Sequence, residues 1–80
     1  MAEVTIKLNS QMVNQAVVNI EHNLVRLEYN TGKEYQYLTD TPVRVLQMLQ
    51  EYNENGGSVG RLLHSWFRDY TLIPEHALGL

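Results

Sequence analysis

The sequence predicts a single small α+β domain, an antiparallel meander of three to four strands followed by two helices packed on one face of the sheet. Three observations predict it. Apolar residues alternate with a period of two through the first half of the chain and recur at helical spacing through the second. Short turns rich in asparagine and glycine separate the first segments, and they leave no room for the crossovers that parallel strands need. The length, 80 residues, suits one domain, spanning 1–80, and no more.

Val4, Ile6 and Leu8 alternate with Thr5 and Lys7, as a half-buried strand requires. Asn14 to Ile20 places Ala16, Val18 and Ile20 on one face. Glu21-His22-Asn23 has turn character, because asparagine tolerates positive φ. Val25, Leu27 and Tyr29 then alternate with Arg26 and Glu28, and Asn30-Thr31-Gly32 is a hairpin signal. Lys33 to Thr39 returns with Tyr35 and Tyr37 on one face and Glu34, Gln36 and Leu38 on the other.

Asp40 or Thr41 is expected to cap the first helix, with Pro42 in the first turn, where its missing N–H costs nothing. Val45, Met48, Leu49 and Tyr52 form its apolar stripe. Asn53-Glu54-Asn55-Gly56-Gly57 reads as a loop, and Ser58 as the cap of a second helix. Val59, Leu62, Leu63, Trp66, Phe67 and Tyr70 fall at i, i+3, i+4, i+7, i+8 and i+11, the cleanest amphipathic pattern in the chain. Pro74 stops any continuation, leaving 71–80 as a tail whose Leu72, Ile73, Leu78 and Leu80 are placed to dock on the body. A sheet with one apolar face, covered by two helices, buries every stripe.

Composition narrows the function classes. Without cysteine there is no disulfide or thiolate metal site. The start, Met1-Ala2-Glu3-Val4, lacks a basic segment leading into an apolar stretch, and no apolar run is long enough to span a bilayer. The expectation is a cytoplasmic protein with no membrane partner. A net charge of −3 excludes a protein that grips phosphate over its whole surface, so any nucleic-acid role must rest on a local patch.

The order of the motifs carries a family resemblance. A glycine turn and Tyr35-Gln36-Tyr37 precede a proline-led helix through Pro42-Val43-Arg44-Val45. Ser58-Val59-Gly60 then runs into a helix ending in Trp66-Phe67-Arg68-Asp69-Tyr70. From about Ser10 to Tyr70 this resembles the KTSC domain, a module at the C-terminus of some lysyl-tRNA synthetases that also stands alone in bacteria and phages. The chain departs from that pattern at His64, where the family has asparagine, and in a longer loop at Asn53 to Gly57. Residues 1–8 would be an extra N-terminal strand. The resemblance implies an RNA-binding role by its synthetase context; the expectation of no cofactor and no catalytic residue comes from the residues themselves.

Two sets of residues are candidate ligand contacts. Tyr35 and Tyr37, if exposed, make a stacking platform for unpaired bases, each stack worth about 1–3 kcal/mol. Phase favours burial instead, since Val25, Leu27 and Tyr29 need the same inward face. Arg61, His64 and Arg68 at i, i+3 and i+7 share a helical face beside the Ser58 cap, suited to phosphate or carboxylate. The plain alternative is a solvated face on which Arg68 pairs with Asp69 or Glu54. His22, His64 and His76 have no paired spacing for a metal, and Gly56-Gly57-Ser58-Val59-Gly60 lacks the lysine of a phosphate loop. No nucleophile, base and acid fall at a spacing that suggests an enzyme.

Two functions follow as expectations. The first is a non-catalytic binding module for RNA, a nucleotide or another phosphate-bearing ligand, using Arg61, His64, Arg68 and any exposed part of Tyr35 and Tyr37. The second is an assembly module, in which the Val4-Ile6-Leu8 strand or the apolar tail adds to another chain, most simply as a homodimer.

Overall fold

The computed structural model describes residues 3–74. Strands β1 (Glu3–Lys7), β2 (Val13–Asn19), β3 (Leu24–Tyr29) and β4 (Glu34–Leu38) form an antiparallel meander. Helices α1 (Pro42–Glu54) and α2 (Val59–Arg68) follow, and a two-residue strand β5 (Ile73–Pro74) closes the described chain. The sheet order is β1-β2-β3-β4-β5. The architecture is therefore the α+β arrangement that the patterning predicts, with one strand more than the meander.

The register explains the core. Val4 lies opposite Val18, Ile6 opposite Ala16, Val18 opposite Val25, Ala16 opposite Leu27, and Val25 opposite Tyr37. Directly paired residues share a face, so these side chains make one apolar surface. A bulge in β2 adds Val13 to it. The pairing passes from Gln15 opposite Glu28 to Val13 opposite Tyr29, so one extra residue shifts the phase and turns Val13 inward. Val13 is 1 % exposed and belongs to the main cluster. On the opposite face Arg26 donates to Glu28 at 3.1 Å and pairs with Glu34 at 3.6 Å, while the Gln15 amide donates to Glu28 at 2.9 Å.

Helix α1 starts at Pro42, but neither expected side chain caps it. Thr41 is the N-cap residue and makes no side-chain cap bond. Its own N–H donates instead to the Thr39 hydroxyl at 3.2 Å, which satisfies that buried side chain. Val45 and Leu49 are buried, with Met48 and Tyr52 partly so. The helix continues through Asn53 and Glu54, residues that the sequence alone reads as loop. The reason is tertiary. Asn53 accepts the Asn9 N–H at 2.7 Å and donates to the Lys7 carbonyl at 2.9 Å, tying the last turn of α1 to the end of β1. Gly56, at φ 73°, then reverses the chain.

Helix α2 begins as predicted: the Ser58 hydroxyl accepts the Arg61 N–H at 3.2 Å. Val59, Leu62, Leu63 and Trp66 are buried, and Phe67 packs against the cluster. Tyr70 does not join that stripe. The helix ends at Arg68, and Tyr70 adopts a left-handed φ of 64° with 76 % of its surface exposed. That reversal aims the chain back at the sheet. Leu72 is fully buried, with its N–H bonded to the Trp66 carbonyl at 3.2 Å. Ile73 and Pro74 then pair with Leu38 and Tyr37. Proline is tolerated there because β5 is an edge. Docking of the tail thus holds for Leu72 and Ile73, while Leu78 and Leu80 lie outside the described residues.

A candidate anion-binding face on helix α2

The two faces of α2 follow from 100° of rotation per residue. Val59, Leu62, Leu63 and Trp66 occupy the arc against the sheet and α1. Arg61, His64 and Arg68 then fall on the arc diametrically opposite, and all three are exposed. Together with Gly60 and Ser65 they line one shallow groove of about 310 Å³. Gly60 lacks a side chain, and a Cβ added there would meet nothing within 4 Å, so the groove is open at that end.

Among the described residues no carboxylate pairs with Arg61 or Arg68. Both ion pairs among the described residues belong to Arg26, on the far face of the sheet. The pairing of Arg68 with Asp69 or Glu54, expected of an ordinary solvated face, is not formed. Asp69 turns instead to Thr71, whose hydroxyl donates to Oδ1 at 2.6 Å and whose N–H donates at 3.0 Å. These bonds, then the nearby Arg44, hold the Asp69 carboxyl below its usual range.

The tyrosine pair divides. Tyr37 is 8 % exposed and lies under α2, its ring 5.1 Å from that of Phe67 at a 31° tilt. Its hydroxyl is pushed well above the ordinary tyrosine range, by burial first and then by a hydrogen bond with Tyr29. Tyr37 is a core residue, and its expected role as a ligand contact is corrected on that ground. Tyr35 shares the inward face but is 42 % exposed, with its ring edge-on to Tyr29 at 5.5 Å. Of the two, Tyr35 alone offers a substantial aromatic surface. Neither tyrosine lines the groove with Arg61, His64 and Arg68.

A second cleft adjoins this face, and it brings in Arg44, which the sequence does not mark as a site residue. Arg44, Met48 and Tyr52 of α1 line a larger cleft with Ser58, Arg61, Leu62, Ser65, Trp66 and Asp69. Their i, i+4, i+8 spacing marks one flank of α1. Nothing in a single sequence says that this flank meets α2.

Among the described residues no group of three His, Asp or Glu side chains converges that could hold a metal ion, and no helix is long and apolar enough to cross a membrane. His22 sits in the β2–β3 turn, its N–H donating to the Asn19 side chain at 3.0 Å, and His76 lies outside the described residues. No family model matches the chain, and no curated protein or solved structure matches it.

Proposed function

We propose that this chain is a small non-catalytic binding module that takes RNA or another phosphate-bearing ligand on the solvent face of α2. The observation that carries the reading is the groove lined by Arg61, His64 and Arg68, in which neither guanidinium pairs with a carboxylate among the described residues. A guanidinium presents a planar fork of donors that matches phosphate oxygens in pairs. In a chain of net charge −3 such a strip supplies local attraction without making the whole surface sticky to polyanions. The accessible Tyr35 adds a surface on which an unpaired base can stack. The likeness of the motif order to the KTSC domain points the same way.

Arg68→Ala tests the reading directly. The side chain is exposed and makes no ion pair among the described residues, so the variant keeps its thermal midpoint while its affinity for single-stranded RNA falls. A variant that binds RNA as tightly as the parent sinks the proposal.

An assembly module is the second reading, favoured by one observation. β1 stands at one end of the sheet order, and among the described residues no strand pairs with its outer backbone groups. Another chain could add there. It stands second because Glu3 and Lys7 place charges on the open face of that strand, a usual way of discouraging edge pairing. Apolar or backbone pairing would survive added salt, whereas phosphate binding weakens steeply.

A further inference from the structure

The cleft between α1 and α2 has features that the strip reading does not use. It is an open cleft of about 430 Å³, a size within the usual range for small-ligand sites. Its floor is apolar, made by buried Leu62 and Trp66 with half-buried Met48 and Tyr52. Its rim is polar, with Arg44 from one helix and Arg61 and Ser65 from the other. A few polar groups converging over an apolar floor are what fix a small molecule in one orientation.

Two details suit this cleft to an anion. Two guanidinium groups against the single carboxylate of Asp69 leave its lining with net positive charge. Oδ1 of Asp69 is already occupied by both donors of Thr71, so the carboxylate is held by its own loop. The aromatic wall is held as well. Gly57 passes so close to Tyr52 that an added Cβ would lie 2.8 Å from the ring, and the Gly57 N–H is bonded to the Tyr52 carbonyl at 2.8 Å.

We infer that this inter-helix cleft binds a small phosphate monoester, with the phosphate between Arg44 and Arg61 and an apolar or aromatic body against Met48, Tyr52 and the Trp66 floor. The inference rests on α2 being an anion-binding helix, because Arg61 belongs to both the groove and the cleft. It adds Arg44, which the solvent-facing strip does not contain, and it names the class of ligand.

The test is a titration of the isotope-labelled chain with phenyl phosphate, followed by amide and indole N–H resonances. The indole N–H of Trp66, the chain's single tryptophan, is a reporter at the cleft floor. Phenyl phosphate is expected to shift Trp66, Ser65 and Arg61 in a saturable way, and inorganic phosphate to bind more weakly. Arg44→Gln should weaken phenyl phosphate by about tenfold, the loss of one charge-assisted contact, while Lys33→Gln on the distant hairpin leaves it unchanged. No shift at about 10 mM phenyl phosphate overturns the inference. So does equal affinity for inorganic phosphate, which would remove the apolar wall, or an Arg44→Gln variant that binds normally. The failures are separable, since Arg44 lies outside the strip and Arg68 outside the cleft. RNA binding that depends on Arg68, with no phenyl phosphate binding, overturns the cleft alone. Phenyl phosphate binding that depends on Arg44, with no RNA binding, overturns the strip alone.

Discussion

Tyr35 and Tyr37 sit two residues apart on one face of β4, yet truncating them should have very different consequences. Tyr37→Ala removes a ring that is 8 % exposed and packed on Phe67. Large aromatic-to-alanine changes in a core cost about 3–5 kcal/mol, the transfer term plus the cavity left behind. A domain of 80 residues has a total stability of about 4–12 kcal/mol, so this variant should be close to unfolded at room temperature or far less resistant to urea. Tyr35→Ala removes a ring that is 42 % exposed and makes one edge-on contact with Tyr29. The pair term there is about 0.5–1.5 kcal/mol, and the burial lost with it is smaller than at Tyr37. Urea unfolding followed by Trp66 fluorescence measures both, because that residue is buried in the main apolar cluster and becomes exposed on unfolding. Equal losses for the two variants would refute the placement of β4 beneath α2.

Three further outcomes follow from the same geometry. Asn53→Ala deletes both bonds between α1 and the end of β1, and should cost about 1–3 kcal/mol in urea unfolding, more than an alanine change at exposed Gln50. Ser58→Ala removes the hydroxyl that accepts the Arg61 N–H and should cost about 1 kcal/mol, read as a lower thermal midpoint. The raised pKa of Tyr37 gives a pH dependence of known sign. Its folded value lies above the unfolded value of 10.0, so its contribution is intact below about pH 10 and is lost as pH rises towards the folded value. Ultraviolet titration should show one of the five tyrosines resisting ionisation until the chain unfolds, and Tyr37→Phe should remove that step.

Much of the fold is legible in the sequence because local pattern and tertiary burial agree. The alternation of Val4, Ile6, Val25 and Leu27, and the spacing of Val59, Leu62, Leu63 and Trp66, each name the face that is buried. The misses have physical causes. A two-residue strand containing Pro74 carries no periodicity, so β5 is invisible until the chain reversal at Tyr70 and the burial of Leu72 place it. Val13 lies out of phase with Ala16 and Val18, and only the bulge turns it inward. Asn53 looks like a loop residue because its reward for being helical lies on β1, more than forty positions away.

The candidate site divides in the same way. That Arg61, His64 and Arg68 share a face follows from helical geometry alone, and the structure brings all three to one groove. Phase also puts both tyrosines on the inward face. Where the helical cover ends, leaving Tyr35 accessible over Tyr37, depends on how α2 lies across the sheet. Arg44 belongs to the α1–α2 cleft for the same reason, since helix pairing is a property of packing rather than of spacing.

The most direct test of the central claim is the salt dependence of binding to a labelled single-stranded RNA, measured by fluorescence anisotropy for the parent and for Arg61→Ala/Arg68→Ala. Each phosphate neutralised on a single strand contributes a slope of about −0.7 in log affinity against log salt, so two arginines predict a slope of about −1.4. The double variant should lose that slope together with the affinity while keeping its thermal midpoint. Binding that ignores salt, or that survives the double substitution, would contradict the account and move attention from α2 to the edge of β1.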